Sequence, residues 1–140
     1  RKAFTKEISQ SQSNNSKSVF VCFGGCDTEN LSQCITEELI KISKVEKIYL
    51  VLGEQYSFPK GWAFNKKIKL LQNLNAEKMT FYMKKSSLII VPSSTLVLES
   101  LCVGKPIIAI KTSENQNFIF KGLDKYDHVY KFNHFGKSLK

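Results

Sequence analysis

Arginine is almost missing from this sequence. Arg1 is the only one, so lysine supplies nearly all of the positive charge. Two-pronged recognition of phosphates or base edges depends on guanidinium groups. Their scarcity argues against a dedicated nucleic-acid surface despite a formal net charge of +9. The lysines read as scattered over a solvated surface, with an acidic partner domain as the second reading of the charge. No apolar run reaches the roughly 18 residues of a membrane span. The opening residues are polar and charged, unlike a signal peptide. The four cysteines are Cys22, Cys26, Cys34 and Cys102, and the three-residue gap between the first two, with no histidine nearby, fits neither a zinc site nor a redox pair. The expectation is reduced, semi-buried thiols in a cytoplasmic protein, with no metal and no cofactor. Also missing are the G-x-G-x-x-G dinucleotide fingerprint, the G-x-S-x-G nucleophile elbow and any paired-carboxylate arrangement. His128 and His134, the two histidines, fall in the last segment and read as structural or exposed.

What is present suits one domain: 140 residues, 42% of them hydrophobic. Residues 1–18 hold a short apolar segment and then a Ser, Gln and Asn tract that cannot build a core, so they read as a linker from an N-terminal domain outside this chain. Residues 19–140 form the domain proper. Apolar runs at 19–23, 47–53, 68–71, 87–92 and 106–110 read as buried strands, with a last short strand at 128–132. Helical spacing recurs between them. A helix is expected over 28–43 with Asp27 as its cap, a second opened by Asn75, a third over 95–102 ended by Gly104, and a fourth from Asn117. Continuous apolar strands alternating with helices predict an α/β fold, a Rossmann-like parallel sheet of about six strands covered on both faces.

The stretch of greatest chemical interest follows the fourth strand. Ser93, Ser94 and Thr95 are hydroxyl residues of the kind that cap a helix, and that helix is apolar on nearly all sides except for Thr95, Ser100 and Glu99, which makes Glu99 read as a buried carboxylate in need of a partner. Thr95 and Glu99 stand four residues apart on one helical face, about 6 Å along the axis. A phosphate at the helix start and a ribose diol on Glu99 would match that separation. A plain capped helix, with Glu99 paired to a lysine, is the other reading. In parallel sheets ligands gather at the carboxyl ends of the strands, where strand order reverses. There Gly24 and Gly25 either admit a ligand close to the backbone or make a tight turn, and Asn115 and Gln116 form part of a polar loop.

Taken in order, Phe23-Gly24-Gly25-Cys26-Asp27, then residues 88–99, then Gly104-Lys105-Pro106, then Asn115-Gln116 resemble the C-terminal domain of GT-B-fold nucleotide-sugar enzymes. Within that group the chain most resembles the UDP-sugar hydrolase of bacterial pseudaminic acid biosynthesis. The similarity covers about residues 19–131. It implies a UDP or UDP-sugar ligand, with Gly24 and Gly25 lining the diphosphate and sugar side, Ser94 and Thr95 meeting the phosphates, and Glu99 holding the ribose. Asp27, Asn115 and Gln116 would face the sugar or the other domain. Cys26 departs from the small Ser or Gly usual in the family, and serines replace glycines before the third helix. The family's catalytic histidine belongs to the N-terminal domain, so no residue here inherits it. The resemblance leaves hydrolase, glycosyltransferase donor domain and non-enzymatic docking module as the functions to separate.

Overall fold

The computed structural model describes residues 18–24, 30–53, 61–62 and 65–133. They contain strands β1 (Ser18–Gly24), β2 (Lys47–Leu52), β3 (Ile68–Gln72), β4 (Leu88–Pro92), β5 (Ile107–Lys111) and β6 (Val129–Asn133). Helices α1 (Leu31–Ile40), α2 (Ala76–Lys85), α3 (Thr95–Leu101) and α4 (Asn117–Gly122) follow β1, β3, β4 and β5, and short 3-10 turns at Glu114–Gln116 and Leu123–Lys125 flank α4.

The strands form one sheet in the order β3-β2-β1-β4-β5-β6, and every neighbouring pair is parallel. The expected six-stranded Rossmann-like sheet is therefore what the chain forms. Its strands read as unbroken apolar runs because both faces are covered. Alternation along β1 sends Val19, Val21 and Phe23 to one side, where Leu31 and Leu39 of α1 and Trp62 meet them. Phe20 and Cys22 go to the other side, with Met83 of α2, Val97 of α3 and Leu123. Trp62 thus packs in the core. Cys22 is buried, but Cys34 and Cys102 are exposed, which corrects the expectation of semi-buried thiols at those two positions. Apolar letters around a cysteine do not say which side of a helix it takes.

Boundaries moved for identifiable reasons. Ser18 belongs to β1 rather than to a linker: it is buried, and its hydroxyl donates to the Lys85 carbonyl at 3.0 Å. Helix α1 starts at Leu31, with Asn30 at its cap in the left-handed conformation at φ 57°. Asp27, expected at that cap, lies outside the described residues, as do residues 1–17, Gly25, Cys26 and His134. At α2 the expected cap is present, since Asn75 Oδ1 accepts from the Lys78 backbone N–H at 2.8 Å. After α3 the chain turns at Gly104 with φ +83°, a value that favours glycine.

Candidate functional site

Strand order reverses between β1 and β4. β1 leads leftward to β2 and β3, and β4 leads rightward to β5 and β6. Loops leaving two adjacent strands in opposite directions open a crevice at the carboxyl edge of a parallel sheet. Its two sides are the end of β1 at Gly24 and the end of β4, where Ser93, Ser94 and Thr95 turn the chain into α3. The sheet thus places Gly24 beside the β4 hydroxyl cluster, although 70 residues separate Gly24 from Ser94 in the chain.

The three hydroxyls are not equivalent. Ser94 takes the cap position, and its Oγ accepts from the Leu96 N–H at a long 3.5 Å. Thr95, the first helical residue, is exposed. Ser93 is fully buried. Its backbone N–H donates to the Ile110 carbonyl at 2.8 Å, which extends the β4–β5 pairing by one residue, while its Oγ has no partner among the described residues. A buried hydroxyl left unpaired costs about 1–3 kcal/mol. Ser93→Ala is accordingly expected to raise stability by up to that amount in urea denaturation. A loss of stability instead would show that the hydroxyl is satisfied in solution.

Glu99 requires a correction. The apolar neighbourhood of α3 suggested a buried carboxylate in need of a partner, yet Glu99 is exposed and shares its face with Thr95, Leu98 and Cys102. Leu98 is itself 45% exposed. The core takes the opposite face, through Val97 and Ser100, and the Ser100 hydroxyl donates to the Leu96 carbonyl at 2.9 Å. Among the described residues Glu99 forms no ion pair, so the lysine-paired reading also falls. Thr95 and Glu99 do stand on one helical face, as their spacing implied, and that face is open.

The loop after β5 divides its residues differently from expectation. Gln116 is buried at 5% exposure, with Oε1 accepting from the Thr112 N–H at 2.8 Å and Nε2 donating to Thr112 Oγ1 at 3.0 Å. It braces its own loop, which corrects its assignment to a sugar or another domain. Lys111 Nζ adds a second brace by donating to Asn117 Oδ1 at 3.1 Å. Asn115 is exposed, with its Oδ1 accepting from the Ser113 hydroxyl, so it remains open to a ligand, as does the exposed Glu114 beside it. His128 lies on the far edge of the sheet, just before β6. Ser93 is the residue that sequence reasoning passed over in favour of Ser94 and Thr95. Its burial and lack of a partner depend on tertiary neighbours, and the only signal in the sequence was a third hydroxyl directly after the strand.

No family model matches the sequence. The chain is 28% identical over 116 residues to an uncharacterized protein of Methanocaldococcus jannaschii, a match that covers 78% of this chain and 24% of that protein. It is also similar to the crystal structure of the glycotransferase of kitacinnamycin, with a TM-score of 0.61 and 11% identity over 83% of this chain and 30% of the other. The chain therefore spans about a quarter of the length of its curated relative and under a third of the structural one. At that identity the likeness is one of fold, and it shows a Rossmann-like α/β domain with the architecture found within a glycosyltransferase.

Proposed function

We propose that this chain is the nucleotide-binding half of a GT-B-type nucleotide-sugar enzyme, and that its ligand is UDP or a UDP-sugar. The observation that carries the reading is the reversal of strand order between β1 and β4, with Gly24 on one side of the crevice and Ser94 and Thr95 on the other. The fold likeness to a glycosyltransferase supports it. So does the small share of both relatives that the chain covers, which leaves room for a second domain. Ser94 and Thr95 meet the diphosphate in this reading, and the open carboxylate of Glu99 accepts from the two ribose hydroxyls. Gly24, with Gly25 after it, gives close backbone approach. Asp27 and Asn115 face the sugar or the partner domain.

The role of such a half is to bind and stabilise UDP as a leaving group. The acid–base group sits in the other domain, so the isolated chain is not expected to turn over substrate. Resemblance to the UDP-sugar hydrolase of pseudaminic acid biosynthesis favours water as the attacking group in a bacterial cytoplasmic enzyme. The structural neighbour favours the second reading, transfer to an acceptor. UDP release by the full-length protein with and without acceptor separates the two.

Binding is tested on the chain itself. Titration with UDP is expected to shift the amide signals of Ser94, Thr95 and Glu99, and Glu99→Ala to weaken UDP by about 1–3 kcal/mol, the scale of hydrogen bonds to a charged group. If millimolar UDP leaves those amides unmoved, the site is misplaced. A flat calorimetric response to UDP, CDP and ADP alike would favour a docking module instead.

A further inference from the structure

The lysines are not scattered. Because all six strands are parallel, every strand begins at one edge of the sheet, opposite the candidate site. Each connection entering β2 to β6 brings lysine to that edge: Lys47 at the start of β2, Lys66 before β3, Lys84 before β4, Lys105 before β5 and Lys125 before β6. Against them the same connections place Glu46, Asp124 and Asp127, with Asp124 paired to Lys131. At the carboxyl edge the described residues leaving the strands bring two lysines, Lys78 in the first turn of α2 and Lys111, the last residue of β5, whose Nζ donates to Asn117 Oδ1.

Compensation of helix dipoles accounts for only part of this arrangement. Lysines do occupy the last turns of α2 and α4, and Lys41 and Lys67 serve the end of α1, but α3 has no basic residue in its last turn. Lys66 and Lys105 stand outside any helix. A large aromatic adjoins the charged edge. Phe81 of α2 is 54% exposed, and Lys85 Nζ lies 5.2 Å from its ring centroid.

We propose that this edge docks on a bilayer surface bearing anionic lipid headgroups. Lysine ammoniums are compact point charges on flexible stems, and a row of them along the rim of a sheet suits a diffuse, planar negative surface. Phe81 adds an apolar group that enters the headgroup layer. Nucleic acid fits less well. The described residues hold no arginine fork, and of the rings beneath lysines Tyr49, Phe120 and Tyr126 are buried or half-buried, so Phe81 is a single displayed ring and not a stacking platform. Docked this way, the carboxyl edge faces away from the membrane.

The test is sedimentation of the chain with phosphatidylcholine vesicles containing none or one quarter phosphatidylglycerol, at 0.05 and 0.15 M salt. Binding only to the anionic vesicles, weaker at higher salt, is expected. Lys84→Glu/Lys105→Glu and, separately, Lys47→Glu/Lys66→Glu should each lower it at least tenfold, with circular dichroism unchanged. Equal binding to both vesicle types, loss-free binding of both variants, or tighter binding to an RNA oligonucleotide at the same salt overturns the proposal.

Discussion

Phe20→Ala is expected to destabilise the domain by about 3–5 kcal/mol, measured as a lower urea midpoint with little change in slope. Phe20 is fully buried in β1, the strand at which the sheet order turns, and is paired in register with Tyr49 of β2 and Ile89 of β4. Its ring lies on the face covered by α2, α3 and the turn at Leu123. Parallel strands hold it on both sides, so the backbone has little freedom to close over the void. Domains of this size are stable by about 5–15 kcal/mol, so the loss would be a large fraction of the total. Phe118, 90% exposed, is the control: its alanine variant should fall within about 0.5 kcal/mol of the parent. A small effect at Phe20 would mean that the covering helices collapse onto the sheet more freely than close packing allows.

These two phenylalanines mark what the sequence could reveal. Phe20 stands in a continuous apolar run, the pattern of a strand buried on both faces, and such runs yielded all six strands to within a residue or two at each end. The reversal of strand order also follows from general rules for βαβ units, which is why Gly24 and the Ser93 region could be expected at one place. Side-chain direction on short helices was harder. Seven residues make only two turns, too few for the period in α3 to show which side of an almost wholly apolar helix would face the core. Glu99 therefore reads as buried in the sequence, whereas it and its neighbour Leu98 are exposed. Gln116 was misjudged for another reason. Amides in a polar loop serve a ligand or the loop itself, and only the position of Thr112 decides between them.

Lysine presented the same difficulty in its sharpest form, because every lysine looks alike in a sequence. Lys67 is half-buried, and its Nζ donates to the carbonyls of Ile40 at 2.9 Å and Ile42 at 3.1 Å. Those carbonyls lie at and just past the end of α1, where helical groups lack intrahelical partners and the dipole is negative. Its backbone is committed as well: the N–H donates to Asn65 Oδ1 at 2.9 Å, and the carbonyl accepts from Ile48 at 2.6 Å. Lys67 thus joins the end of α1 to the entrances of both β2 and β3. Lys67→Met keeps most of the stem and removes the charged donor, so it isolates these bonds from packing. Hydrogen bonds to charged groups contribute about 1.5–3 kcal/mol, and a loss in that range is expected in urea denaturation. Amide exchange should accelerate in the last turn of α1 before it does in β1. A change under 0.5 kcal/mol would show that water replaces the ammonium at these carbonyls without net cost, and that α1 is held by the burial of Leu31 and Leu39 alone.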